Sequence, residues 1–344
     1  MIRPERVLSW APVKEEPMTK RERVLAAVAR RPVDRPPVAF WRHVPDVDHR
    51  PDGLAEAMLA FHGRWDLDLI KVMSSGVYCV EDWGCTVAYQ GHPNGAKRCT
   101  QHAVRAAGDW TRLRLLDPGA GALGRELEAV RLIRKGRADD APILKTIFTP
   151  LTIATKLAGD RLFDDIATVP DAVRAALEVI TETTARYAAE ALAAGADGIF
   201  LATQAASAQA VTEAISTTWD LPYARRILDR LRGGSMLTML HLHGTDVHWD
   251  AWAALPVHAV NWHDRLTAPT LADAARRFTG ALAGGLGESG MLRRGTPAEV
   301  AAQARDAVAQ TRGVGVIVTP GCVLPLDVPD ASLAAVVDAV RSVA

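Results

Sequence analysis

Eight apolar runs of strand length, separated by stretches of helical period, constrain this chain more than any other feature. They are Val38–Trp41, Leu67–Met73, Ile143–Phe148, Gly198–Thr203, Leu237–His243, Ala259–Trp262, Ala281–Leu286 and Val314–Thr319. Most are apolar along their whole length instead of alternating, the pattern of strands buried on both faces of a parallel sheet. Between them apolar residues recur at helical spacing. The clearest stretch is 170–194, where Val173, Ala176, Leu177, Ile180, Tyr187, Ala188, Ala191 and Leu192 share a face and Gly195 supplies a stop. Segments 222–232, 269–280, 297–311 and 330–343 repeat the pattern, several opening on a proline suited to a first helical turn. The expected fold is therefore α/β, a (β/α)8 TIM barrel. A doubly wound open sheet is the alternative, but no Gly-x-Gly-x-x-Gly follows the first run to support a dinucleotide fold.

The chain has 344 residues, more than a minimal barrel needs, and the surplus falls in two places. Residues 1–17 read as an N-terminal tail. An N-terminal helical arm follows, opening on the capping box Thr19-Lys20-Arg21-Glu22 and ending before Pro32. Residues 18–344 then form one barrel domain. Between Ser74 and Ala141, the segment YCVEDWGCTVAYQGHPNGAKRC reads as a hairpin insertion after strand 2, at about 76–120, before a helix over 124–136. With Trp83 and Trp110 it is a candidate lid or interface.

At 49% hydrophobic and 23% charged, the sequence is neither disordered nor fibrous. Its 40 basic and 40 acidic residues cancel, so no general attraction to nucleic acid or anionic membrane is expected. No apolar run approaches the roughly 18 to 20 residues of a spanning helix, and the opening residues lack the apolar stretch of a signal peptide. A cytoplasmic protein is expected. Four cysteines are too few for a disulfide framework, and Cys79, Cys85 and Cys99 lack the Cys-x-x-Cys spacing of a structural zinc site.

In a barrel the active site gathers at the C-terminal ends of the strands. Those ends carry Arg42 and His43, Ser74 and Ser75, Thr149, Thr203 and Gln204, His241 and His243, His263 and Asp264, Glu288, and Cys322. His241 and His243 are the sharpest pair, because residues i and i+2 of a strand face the same side and Gly244 lets the chain turn away at once. With Cys322 at the end of the eighth run they make a set of three zinc ligands with an open fourth position. The competing reading is two hydrogen-bonded strand-end histidines and a packed thiol. His263 and Asp264 are either a catalytic acid–base pair or strand-end hydrogen-bonding groups. Arg42 suits a carboxylate clamp, or else an internal ion pair with Asp46 or Glu288.

Five segments, in order, resemble the uroporphyrinogen decarboxylase superfamily: MTKRERVLAAVARRPVDRPPVAFWRH at 18–43, FTPLTIATKLAGD at 148–160, GADGIFLATQAA at 195–206, HLHG at 241–244 and TPGCVLPLDVPDASL at 319–333. The resemblance implies a (β/α)8 barrel and one of two chemistries. The true decarboxylases carry Arg-Gln-Ala-Gly-Arg-Tyr after the first strand, where this chain has Arg42-His43-Val44-Pro45-Asp46-Val47. Their catalytic Asp falls at Ser74 or Ser75, a Tyr at Lys156, and a His at Cys322. The other branch comprises zinc-dependent methyltransferases that pass a methyl group from a corrinoid protein to a thiol. Its ligand pattern, His-x-Cys and a later Cys, falls on His241, His243 and Cys322, with His replacing the middle Cys.

The resemblance thus implies zinc at His241, His243 and Cys322, a corrinoid or corrinoid protein as methyl donor, and methyl transfer to a thiol or another zinc-activated nucleophile. His263 and Asp264 stand as catalytic candidates. Arg42, His43, Ser75, Lys156, Gln204 and Glu288 stand as contacts for a small thiol or carboxylate substrate. Decarboxylation of a tetrapyrrole or other carboxylate, and a non-catalytic tetrapyrrole- or corrinoid-binding barrel, are the alternatives.

Overall fold

Asp68 fixes where the sheet begins. Its buried carboxylate accepts hydrogen bonds from Arg23 Nη1 at 2.7 Å, Arg35 Nη1 at 2.7 Å and the Val38 amide at 2.8 Å. A buried carboxylate is tolerable only when charge and hydrogen bonds surround it, and here the partners come from the N-terminal helix and from the stretch 35–38. The N-terminal helix Lys20–Val28, capped by Thr19 and Glu22 in a reciprocal box, is thereby locked to the floor of the sheet.

The computed structural model describes residues 17–343, so all but the last position of the expected 1–17 tail lies outside the described residues. Seven parallel strands form one sheet: β1 (Ile70–Val72), β4 (Ile143–Phe148), β5 (Gly198–Thr203), β6 (Leu237–Leu242), β7 (Ala259–Trp262), β8 (Ala281–Leu286) and β9 (Val316–Pro320). They lie side by side in chain order, and every residue of all seven is buried. Each wholly buried Leu, Ile or Val contributes roughly 1.5–3 kcal/mol, which makes continuous apolar runs the principal source of the sheet's stability.

The expected strand Val38–Trp41 is corrected. Only a parallel bridge from Val38 to Val318 forms, with Val318 N donating to Pro37 O at 2.8 Å and Ala39 N to Val318 O at 3.1 Å. The next rung of this parallel ladder would need an N–H at residue 320, and Pro320 has none, which ends the pairing. On the other side, Asp68 N donates to Val38 O at 2.9 Å. Residues 37–39 therefore stand between the two outer strands and curl the sheet into a TIM-barrel-like arrangement.

Helices cover the connections, including Gly121–Gly136, Pro170–Ala193, Pro297–Thr311 and Asp330–Arg341. Within the insertion, β2 (Thr86–Tyr89) and β3 (Lys97–Gln101) pair antiparallel as a separate hairpin, with a register shift at Thr86/Val87. Among the described residues no helix is long and apolar enough to cross a membrane.

Candidate metal centre

The ends of three strands, β6, β7 and β9, deliver the central cluster. His241 lies in β6 and His243 follows it, His263 follows β7, and Cys322 follows β9. One ligand atom from each of the four lies within 4.8 Å of the others. Cys322 Sγ stands 3.7 Å from His241 Nε2 and 3.6 Å from His243 Nδ1. Two glycines permit this approach. A Cβ on Gly244, whose φ is +100°, would meet Ser207 Oγ at 2.7 Å, and one on Gly321 would lie 2.9 Å from the His263 Cα.

The surrounding hydrogen bonds decide which ring nitrogens are free. Asn261 Nδ2 donates to the carbonyls of Ala283 at 2.9 Å and Pro320 at 3.1 Å, which orients the amide with Oδ1 toward His241. His241 Nδ1 must then be the protonated nitrogen, donating to Asn261 Oδ1 at 2.6 Å, and Nε2 faces the cluster as a lone pair. The same logic applies to His263. Glu288 Oε1 can only accept, so His263 Nδ1 donates to it at 2.8 Å and Nε2 is left for the cluster, buried and without a well-aligned partner.

Charge is concentrated here. Burial opposes ionisation of the Cys322 thiol, but the imidazoles of His241, His243 and His263 outweigh it and hold its pKa well below the ordinary thiol value. Burial pushes His241 toward the neutral form. For His263 burial acts in the same direction, but the neighbouring Cys322 and Glu288 charges prevail and raise its pKa to about 10. Three imidazole nitrogens and one thiolate sulfur within 4.8 Å of one another are a donor set that suits zinc.

The cluster forms one wall of a cavity of about 510 Å³ whose other walls include Trp41, His43, Lys71, Phe200, Lys156 and Gln204. Lys97, Arg98, His92 and His102 reach it from the hairpin, and no carboxylate among the described residues lines it. Lys71 is 5% exposed and lies 4.3 Å from the Phe200 ring centroid, with no acidic partner; burial pushes its pKa down to about 7. Lys156 Nζ donates to Gln204 Oε1 at 2.9 Å and sits 4.8 Å from the Phe148 ring centroid. His43 is 6% exposed and Nδ1 has no partner; burial, then the Lys71 charge, lowers its pKa to about 3. The hairpin roofs the cavity: Leu326 N donates to Pro93 O at 2.9 Å, Lys97 pairs with the buried Asp48, and Gly95 packs on His43.

Several sequence-derived candidates lie elsewhere. Arg42 points away from this cavity, its guanidinium 5.3 Å from the Phe61 ring centroid. Asp264 does not pair with His263: its Oδ1 accepts the Gly285 amide at 2.9 Å, and burial raises its pKa to about 6. Ser75 Oγ accepts from the Val77 amide within its own turn, while Ser74 lines the cavity and bonds Lys145 and Glu126. Glu288 meets His263 rather than the cavity. Asn261 and Lys71 were not among the sequence candidates, although each is a polar residue inside an otherwise apolar run, a signal in its own right.

Known proteins place this arrangement in context. Methylcobamide:CoM methyltransferase MtbA from Methanosarcina mazei is 24% identical over 341 residues, spanning 94% of this chain and 98% of the relative. A uroporphyrinogen decarboxylase from Anaeromyxobacter dehalogenans is 25% identical over 352 residues, spanning 93% and 98%. Among solved structures, a methyltransferase from Methanosarcina mazei superposes with a TM-score of 0.81 at 21% identity, covering 94% of this chain and 98% of that one. A B12-independent methionine synthase from Shewanella shares the fold more distantly, with a TM-score of 0.56 at 15% identity, covering 90% and 93%. The uroporphyrinogen decarboxylase (URO-D) family model matches residues 19–343, and the chain belongs to that family.

Proposed function

We propose that this protein transfers a methyl group from a methylated corrinoid to a small acidic thiol, at a zinc ion that His241, His243 and Cys322 would hold with His263 as a further donor beside them. The observation that carries this reading is the four-donor cluster set in the wall of a cationic cavity free of carboxylates. Relatives named methylcobamide:CoM methyltransferases support the donor class. The reading takes the fold as an eight-stranded barrel in which residues 37–39 are a reduced first strand.

Bound there, zinc supplies the Lewis acidity that keeps an acceptor thiol deprotonated near neutral pH. The protein's own residues do the rest. Lys71 and Lys156 receive the acidic group of the acceptor; a buried ammonium without a counter-charge gains most from an arriving anion, and binding draws Lys71 back to its charged form. Trp41 and Phe200 line the cavity beside them and exclude water. Asn261 and Glu288 hold His241 and His263 in the tautomers that present Nε2.

Zinc titration of metal-stripped protein tests the assignment. One equivalent should bind tightly to wild type, and His241→Ala and Cys322→Ala should each weaken binding severely. If both variants bind zinc like wild type, the assignment is wrong. Turnover of methylcobalamin with an acidic thiol, lost in the same variants, completes the test.

A further inference from the structure

The roofing hairpin carries two cysteines that methyl transfer leaves unused. Cys85, 7% exposed, immediately precedes β2, and Cys99 lies in β3 and lines the cavity. Cys99 pairs across the hairpin with Val87, and Cys85, two residues before Val87, projects from the same face. Diagonal neighbours of this kind stand about 7–8 Å apart, and a disulfide needs a Cα separation of about 4.4–6.8 Å. The register shift at Thr86/Val87 falls between the two pairs, and the Cys85 and Cys99 thiols stand near enough to influence each other's ionisation.

Their surroundings give them different roles. Cys85 Sγ accepts the Ala103 amide at 3.3 Å and faces the Lys156 carbonyl at 3.8 Å. His102 Nδ1 bonds that same carbonyl at 2.9 Å, which brings His102 and Lys156 beside Cys99. The neighbouring Cys85 thiol is the main influence on Cys99; although burial opposes it, His102 and Lys156 add to it and the pKa falls to about 7. The same proximity raises the pKa of Cys85, which keeps its proton. Cys79 is buried and its pKa is pushed up to about 12. One thiol is thus a nucleophile facing a cavity, one a protonated neighbour, and one inert.

We propose that Cys99 and Cys85 form a thiol–disulfide exchange pair, in which Cys99 attacks a small organic disulfide entering the acceptor cavity and Cys85 resolves the mixed disulfide. In the first step the Cys99 sulfur bonds one sulfur of the disulfide, breaking its S–S bond and releasing one thiolate. In the second, Cys85 attacks Cys99 Sγ, its proton passes to the departing thiolate, and the Cys85–Cys99 bond forms. Two protein thiols are oxidised and one disulfide is reduced to two thiols. The expectation that this disulfide is the oxidised acceptor rests on the methyl-transfer reading; the pairing of the two cysteines does not. The bond would staple the base of the hairpin and remove a thiolate from beside Lys156, so the cavity would register the redox state of what it binds.

Thiol mapping of the zinc-loaded, full-length, reduced protein tests this with bis(2-hydroxyethyl) disulfide as the probe, followed by alkylation and peptide mass analysis. Wild type should lose two hydrogens in mass and yield a Cys85–Cys99 cross-linked peptide. Cys85→Ser should hold a persistent mixed disulfide at Cys99, and Cys99→Ser should form no adduct at Cys85. Under limiting alkylating agent Cys99 should react on the order of 10-fold or more faster than Cys79. Cys85 and Cys99 that stay alkylatable in excess probe, a link to Cys79 instead, or an adduct at Cys85 in Cys99→Ser would each overturn the proposal. The readout needs no turnover, so it separates this inference from failure of the methyl-transfer reading.

Discussion

Replacing Asn261 separates two jobs that one side chain performs. Its Oδ1 accepts from His241 Nδ1 at 2.6 Å, and its Nδ2 donates to carbonyls of β8 and β9 at 2.9 and 3.1 Å. Asn261→Ala removes both. Losing the partner that orients a metal-bound histidine typically costs 10- to 100-fold in affinity, or about 1.4–2.7 kcal/mol. The stranded carbonyls and the His241 N–H add a stability cost of about 1–3 kcal/mol in the metal-free protein. Asn261→Asp keeps an acceptor for His241 but turns a second acceptor toward the two carbonyls. It should lose a similar amount of stability while holding zinc affinity within about threefold of wild type. Competition titration against a chromophoric zinc chelator gives the affinities, and urea unfolding of metal-stripped protein gives the stabilities. If Asn261→Asp loses as much zinc affinity as Asn261→Ala, orientation of His241 is not what Asn261 contributes. If Asn261→Ala binds zinc like wild type, the tautomer argument is refuted.

Lys71→Met should raise the KM for an acidic thiol at least on the order of 10-fold and leave a neutral thiol little affected, because only the former needs the ammonium; equal effects on both would remove Lys71 from acceptor recognition. Arg42→Ala, whose guanidinium lies over Phe61, should change that KM less than about twofold. A large rise with zinc still bound would instead restore the carboxylate-clamp reading. Asp220→Asn addresses a buried carboxylate whose pKa burial raises from 3.8 to about 6. The folded state holds that proton between the two values and the unfolded state does not, so wild type loses stability as pH rises from about 4 to 6. The penalty is absent below that window and complete above it, on the order of 3 kcal/mol. Relative to wild type, Asp220→Asn should therefore gain stability progressively from pH 4 to 7 in urea unfolding; an advantage independent of pH would contradict the shift.

The sheet was legible because burial on both faces writes itself as unbroken apolar runs. Val38–Trp41 reads the same way, yet pairs only at Val38, since Pro320 on the neighbouring strand has no N–H to continue the ladder. At the strand ends the sequence names neighbours in pairs, Arg42 with His43, Ser74 with Ser75, His263 with Asp264. Successive side chains of an extended chain point to opposite sides, so only one of each pair can face the site. His43, Ser74 and His263 do, while Arg42, Ser75 and Asp264 turn to a ring or to backbone. That choice depends on phase, which drifts where a strand gives way to a loop. The place of His263 beside Cys322 depends further on Gly321, where an added Cβ would lie 2.9 Å from the His263 Cα, a proximity of residues almost sixty apart. Asn261 and Lys71 carry a signal in the sequence, a lone polar residue in an apolar strand, but its meaning emerges only with the neighbour each meets.

Asn261 spans more of the molecule than its size suggests. From β7 it holds a histidine of β6 and the backbone of β8 and β9, so four consecutive strands share one amide. The socket proposed for zinc is consequently a product of folding. Stripping the metal should leave a finished receptacle that refills without passing through an unfolded chain. The pace of reloading is then set by how fast single ligands exchange, not by any refolding event.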